Sequence, residues 1–346
     1  MKNLLPPQRL DVALQGGGAH GAFTWGVLDR LLEAPDIRIS AVSGASAGAI
    51  NATVFATGMA TGGPAGAQAA LAAFWKALND AGRDSGPLLP LLEAFPETAE
   101  LAVTWWSLLF GDVPLPNSPR LGKPIQDVLR KLLEEHVDFA ALRTRKAPRL
   151  FIAATNVRTG GARIFRNDDL SVDALLASAC LPLVFPPVTI DGAEYWDGGY
   201  SANPPLLPLV LESPNDDLLL ITINPTTREQ TPSSSRDISY RISELGFSQG
   251  LAQDLRGLDM IQKAAAPLLL ARGVLGRLKR LRMHEIHDEP TLAAMHPRSK
   301  MVPAWQMLTQ LHAAGREAAD QWLGEDAHYI GKASTIDISQ RYGIAS

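Results

Sequence analysis

Ser46 lies in the segment Gly44-Ala45-Ser46-Ala47-Gly48, directly behind the apolar run Ile39 to Val42 and ahead of Ala49-Ile50-Asn51-Ala52. A strand, a sharp turn carrying serine and then a helix make up a nucleophile elbow. The serine backbone in such a turn is strained, so the residues two before and two after it must be very small. Gly44 and Gly48 meet that demand, and Ala45 and Ala47 are nearly as small. The strain exposes the hydroxyl of Ser46, and the following helix aims its free N–H groups at an oxyanion formed there. The chemistry that this suits is nucleophilic acyl transfer. The same five residues also make an ordinary small-residue turn, so the surrounding sequence has to decide.

Leu10 to Gln15 reads as a short buried strand. Gly16-Gly17-Gly18-Ala19-His20-Gly21 follows at once, then a helix over Ala22 to Leu32 with Phe23, Val27, Leu28, Leu31 and Leu32 on one side. Three successive glycines leave backbone N–H groups with no side chain in the way, and such a loop in front of a helix is an anion site. Gly16, Gly18 and Gly21 match the dinucleotide pattern G-x-G-x-x-G, but that site also needs an acidic residue at the end of the next strand, roughly 20 residues on. The second strand ends instead in Ser43-Gly44-Ala45-Ser46. The better reading makes Gly16, Gly17 and Gly18 the upstream half of an oxyanion hole for Ser46, with Ala47 N–H as the other half.

A serine nucleophile needs a base. Tyr195-Trp196-Asp197-Gly198-Gly199-Tyr200 places an acid before two glycines and between aromatics, and Asn203-Pro204-Pro205 follows. A bare D-G-G is a common turn. The specific signal is the order of glycine loop, elbow serine and D-G-G along one chain.

These three motifs together resemble the patatin-like phospholipases. The resemblance covers roughly residues 10–210, and Ala177 to Val188, a small-residue helix end leading into a proline-rich strand approach, belongs to it as well. It implies a lipid acyl hydrolase that works with a Ser-Asp dyad and no histidine, on a three-layer α/β sandwich with a mainly parallel central sheet. Carried over residue by residue, it implies Ser46 as nucleophile, Asp197 as base and Gly16 to Gly18 as the oxyanion loop. Gly21, Gly44, Gly48, Gly198 and Gly199 support the motifs. One position departs: the family usually has Arg or Lys where this chain has His20, whose side chain reads as a loop-ordering group rather than a base.

The dyad makes physical demands. An aspartate with an ordinary pKa of about 3.9 is a poor acceptor for a serine proton, so it must touch the hydroxyl and take the proton in concert with attack, and burial that raises its basicity helps. The rival within hydrolases is a Ser-Asp-His triad, since His284, His287 and His296 follow Asp197 in the right chain order. Against it, Ser46 comes after only the second predicted strand, earlier than an α/β-hydrolase elbow. His284-Glu285-Ile286-His287 has an H-x-x-H spacing, but its alternation reads as a strand and no third ligand accompanies it. The expectation is no metal and no cofactor. Two further classes stand beside the hydrolase: a nucleotide-binding oxidoreductase using Gly16 to Gly21, and a non-catalytic lipid- or partner-binding protein.

The elements that must position these groups fit one reading. The chain has 346 residues, 46% of them hydrophobic and 20% charged, ample for a sizeable core. The net charge of -4 gives no reason to expect nucleic acid. The single cysteine, Cys180, excludes an intrachain disulfide. Met1 to Pro7 lacks a sustained apolar run, and no stretch reaches the roughly 18 to 20 apolar residues of a spanning helix. The expectation is a cytoplasmic protein that can visit a membrane surface. Helices are predicted over residues 65–80, Pro124 to Glu135 and Ile238 to Lys263. Strands are predicted at Phe151 to Asn156, Arg163 to Arg166 and Leu218 to Asn224, an alternation that argues for a mainly parallel sheet covered on both faces.

Residues 10–210 then form the catalytic domain, and residues 211–346 supply a final core strand and a mostly helical extension packing on the core. Two stretches have the composition for lipid contact: Ala102 to Phe110 with Trp105 and Trp106, and Leu268 to Met283, where Arg272, Arg277, Lys279, Arg280 and Arg282 alternate with leucines as in a basic amphipathic helix. Core packing and a solvated face are the simpler readings of the two. The partner expected for the site is an acyl ester or phospholipid.

Overall fold

The structure is a computed structural model and describes residues 7–84, 123–182, 184–228, 231–267, 272–295, 299–300 and 303–343. Trp105 and Trp106 lie outside the described residues. Among the described residues eight strands form one sheet: β1 (Gln8–Leu14), β2 (Ile37–Gly44), β3 (Arg149–Asn156), β4 (Ala162–Phe165), β5 (Val188–Ile190), β6 (Ala193–Asp197), β7 (Asp217–Ile221) and β8 (Arg282–Ile286). Hydrogen-bonded neighbours run β5-β6-β3-β2-β1-β7-β8, and β4 also pairs with β3. The β3, β2, β1, β7 and β8 run is parallel throughout, whereas β4, β5 and β6 are antiparallel additions.

Alternation along the strands makes the three layers. Val12, Leu14, Leu219 and Ile221 face one core, which they share with Phe23, Val27, Phe55 and Leu308. Ala13, Leu218, Leu220 and Phe151 face the other, against Leu206, Leu209, Leu251 and Leu255. A parallel sheet covered on both sides has strands that read as continuous apolar runs, and β7, Asp-Leu-Leu-Leu-Ile, is buried at every position.

The C-terminal third contributes more than a covering layer. His284 lies in β8, which extends the parallel sheet beyond β7. The helix Trp305–Glu325 packs closely on α1 (Gly21–Leu31): a Cβ on Gly26 would stand 2.0 Å from His312 O, and one on Gly315 2.1 Å from Phe23 O. Paired small residues let two helix backbones approach this near. Arg30 and Arg316 tie the pair further, to Asp320 and to Asp29 and Glu33.

The predicted basic amphipathic helix ends early. Its described part, Gly273–Arg280, stops at Leu281, whose backbone is extended, and Arg282 and Met283 enter β8. Its cations bind the fold itself: Arg277 to Leu211 O, Arg280 to Asp216 and Arg282 to Asp217. No helix among the described residues is long and apolar enough to cross a membrane.

Candidate active site

Glycines decide where the elbow sits. β2 ends at Gly44 and α2 (Ala47–Asp84) begins three residues later, so the chain must reverse within Ala45 and Ser46. Ser46 has φ of +54°, a left-handed conformation that a non-glycine residue adopts at a cost of about 1–3 kcal/mol and that clusters at functional sites. Gly44 and Gly48 touch across the turn: a Cβ on Gly44 would lie 2.5 Å from Gly48 C, and one on Gly48 2.2 Å from Leu14 O. The turn is pinned from outside by the helix Val172–Ser178, since Ser46 N–H donates to both the carbonyl and the hydroxyl oxygen of Ser178 (3.1 Å each). Further along, α2 bends at Gly63, where φ is +64°, just before Pro64.

Asp197 reaches Ser46 through strand pairing. Ile152 pairs with both Gly44 of β2 and Phe165 of β4, while Ala154 pairs with both Asp197 of β6 and Arg163 of β4. A strand has two edges. β4 therefore holds one edge of β3, and β2 and β6 follow one another along the other, ending head to head. The two turns that leave this junction carry Ser46 and Asp197. Gly198 is needed where they diverge, because a Cβ there would lie 2.1 Å from Ala153 O.

Asp197 is completely buried. Its N–H donates to Cys180 O (2.7 Å), its carbonyl accepts from Thr155 Oγ1 (2.7 Å), and its Oδ1 accepts from Gly199 N–H (2.8 Å). Among the described residues Oδ2 has no hydrogen bond of good geometry. Burial pushes the carboxyl up to about 7, against the pull of the neighbouring Ser46 hydroxyl and the Gly199 N–H. A carboxyl raised towards neutrality can take a proton from a neighbouring hydroxyl.

The glycine loop lies directly against the elbow. A Cβ on Gly16 would sit 2.5 Å from Ala45 O and 2.8 Å from Ser46 Cβ, and one on Gly21 2.9 Å from Ala47 Cβ. Gly16 N–H already donates to Asn203 Oδ1 (2.6 Å), so Gly16 braces the loop. The N–H groups of Gly17, Gly18 and Ala47 donate to no acceptor among the described residues. Gly18 opens a 3-10 turn, Gly18–His20, with φ of +60°.

Sequence reasoning passed over the residues that hold this loop. Gln15 Oε1 accepts from the N–H groups of Ile223 and Asn224 (2.9 Å each), Asn224 Nδ2 donates to Gly16 O (2.8 Å), and Lys300 Nζ donates to Asn224 Oδ1 (2.7 Å). Asn203 and Asn224 stand at turn positions after D-G-G and after β7, the one available signal. Lys300 carried none. His20 is buried with Nε2 against Ser299 Oγ (2.7 Å), and burial together with the nearby Lys300 and Arg228 brings its pKa down to about 3. It is a neutral side chain held against Ser299.

The downstream histidines lie elsewhere. His284 is fully buried between Asp217 (3.4 Å) and Thr335 (3.1 Å), at a β8 position paired with Leu219. His287 follows the end of β8, separated from β2 by β7 and β1. His296 lies outside the described residues. Among the described residues no group of three or more His, Cys, Asp or Glu side chains is arranged to hold a metal.

No curated protein matches the chain. Among solved structures, VipD from Legionella pneumophila is similar over 89% of this chain and 67% of its own, with 14% identity and a TM-score of 0.36. A chain of the heterodimeric ExoU–SpcU complex from the type III secretion system of Pseudomonas aeruginosa is similar over 98% of this chain and 75% of its own, with 19% identity and a TM-score of 0.31. A profile of the patatin-like phospholipase family matches residues 12–210, the stretch that holds the glycine loop, the elbow and Asp197, and the chain belongs to that family.

Proposed function

We propose that the protein hydrolyses acyl esters of lipids with Ser46 as nucleophile and Asp197 as its base. Membership of the family supports lipid acyl hydrolysis in general. The observation that carries the finer reading is the fully buried Asp197, its pKa raised to about 7, beside the hydroxyl of a serine at φ +54°.

In the first step Ser46 Oγ attacks the ester carbonyl while its proton passes to Asp197. The carbonyl π electrons move onto oxygen, and the oxyanion is met by the N–H groups of Gly17, Gly18 and Ala47. Collapse of the intermediate breaks the bond to the leaving alcohol, which takes the proton from Asp197 and leaves an acyl-Ser46. Water then gives its proton to Asp197 and attacks the acyl carbon. Ser46 leaves as the new carboxylic acid forms, and the proton returns to Oγ. No cofactor enters these steps. Buried Asp197 can accept a proton near neutral pH because water is not there to stabilise its charge.

The test is turnover of p-nitrophenyl esters of increasing chain length by wild type, Ser46→Ala, Asp197→Asn, His284→Ala and His287→Ala. Activity lost in the first two variants and kept in the histidine variants supports the dyad. Loss in either histidine variant with the fold intact favours a triad. A melting shift with NAD or FAD in place of ester turnover favours the nucleotide reading.

A further inference from the structure

Lys300 meets the oxyanion loop once directly and once through Asn224, from a position 282 residues downstream of Gly18. Its backbone carbonyl lies against Gly18, where a Cβ would come within 2.2 Å of the oxygen. Its ammonium donates to Asn224 Oδ1 (2.7 Å), and the Nδ2 of the same amide donates to Gly16 O (2.8 Å).

An ammonium can only donate, so Lys300 settles which end of the Asn224 amide faces the loop. The oxygen is drawn to Lys300 and the NH2 is left for Gly16 O. That carbonyl belongs to the Gly16–Gly17 peptide unit, in which C=O and N–H point in opposite directions across a planar trans bond. Holding the oxygen at Asn224 therefore aims Gly17 N–H away from Asn224, and that N–H is committed to no acceptor among the described residues. A chain of hydrogen bonds that begins at a charge polarises each member.

We propose that Lys300 is a positioning residue for oxyanion stabilisation, acting through Asn224 to aim and polarise the Gly17 N–H. The proposal rests on the Ser46–Asp197 reading. The charged and titratable groups around the ammonium are Glu244 and Arg228, with the neutral His20 ring close by, and Arg241 shares Glu244 with Arg228. Burial lowers the Lys300 pKa to about 8, with Glu244 opposing the shift and Arg228 adding to it. The relay is therefore charged at neutral pH and fails as the pH rises through about 8.

The experiment measures kcat and KM for p-nitrophenyl butyrate across pH 5 to 10 in wild type, Ser46→Ala, K300M, K300R and N224D, with melting temperatures for each. Wild-type kcat is expected to fall above about pH 8. In K300M kcat is expected to be about 10- to 100-fold lower, with KM within about twofold and no alkaline limb. K300R keeps its charge, so it should recover part of kcat and also lose the limb. N224D still binds Lys300, now as a carboxylate, but has no NH2 for Gly16 O, so it should lose kcat at least as far as K300M. Ser46-dependent turnover in K300M at wild-type kcat, or an alkaline limb that persists there, overturns this proposal alone. The same holds if kcat merely follows melting temperature across the variants. Turnover that survives Ser46→Ala overturns the nucleophile assignment and this proposal with it.

Discussion

Gly44 and Asp197 end two strands that follow one another along the same edge of β3, Gly44 at Ile152 and Asp197 at Ala154. The parallel strand that ends at Gly44 and the antiparallel hairpin strand that ends 153 residues later at Asp197 meet head to head. The turns that leave their ends bring a strained serine and a buried carboxylate together. Sheet register brings Ser46 and Asp197 together, and glycines at 44, 48 and 198 let the backbones turn away without collision.

With Asp197 as the proposed base, its raised pKa is expected to set the acid limb of catalysis. The carboxylate must be ionised to take the Ser46 proton, so kcat/KM is expected to rise with pH through about 7. A pH–rate profile on a soluble ester checks this. A limb near pH 4 would mean that the base is not buried as the structure has it.

The same burial makes Asp197 a stability cost. Its folded-state pKa lies above the unfolded value of 3.8, so the folded protein holds a proton that the unfolded chain has released between about pH 4 and 7. Stability falls as pH rises through that window and stays lower above it, by up to about 4 kcal/mol. Asp197→Asn is therefore expected to raise the melting temperature at pH 8 by several degrees, and to leave it nearly unchanged at pH 4. Thermal melts at the two pH values decide it.

Gly16→Ala should abolish activity before it abolishes folding. Its new methyl meets Ala45 O at 2.5 Å and Ser46 Cβ at 2.8 Å, so the loop or the elbow must move. A fall in kcat of about 100-fold or more is expected, comparable to loss of an oxyanion donor. Gly48→Ala meets backbone at 2.2 Å and should also destabilise the fold, by about 1–3 kcal/mol. Kinetics paired with denaturant unfolding separate the two.

His284→Ala should behave as a core substitution. His284 and Arg282 hydrogen-bond Asp217, as does Gly331 N–H, and together they outweigh burial to hold that carboxyl well below its usual range. Losing the imidazole should cost about 2–4 kcal/mol, seen as a lower denaturant midpoint, while Ser46-dependent turnover of the folded fraction persists.

Cys180 should resist labelling in the native state. Burial, with Asp197 nearby, pushes its thiol up to about 12, so almost no thiolate exists at neutral pH. A colorimetric thiol reagent is expected to leave it intact at pH 8 and to react once denaturant is added. Rapid native labelling would show that the interior around Asp197 opens.

The motif-bearing elements were legible because their chemistry is local. A strand, three glycines and a helix, or an apolar strand followed by Gly-Ala-Ser-Ala-Gly, constrain the backbone within a few residues, and the structure has β1, α1, β2 and α2 in those places. The long helix Ser235–Ala265 was likewise announced by its apolar spacing. The basic stretch up to Met283 misled because composition cannot tell a solvated helix from cations that bind the fold, and the last two residues pair with β7 instead.

What the sequence by itself determined is the set of reactive groups: a serine in a turn that only small neighbours permit, and an acid before two glycines. The tertiary structure alone decided how they meet and what steadies them. Asn203 to Gly16, Asn224 to Gly16 and Lys300 to Asn224 are hydrogen bonds across 187, 208 and 76 residues. Such bonds leave no periodicity or spacing to read, because each depends on strand order and register, which bring distant polar groups into a buried place where none can remain unpaired cheaply.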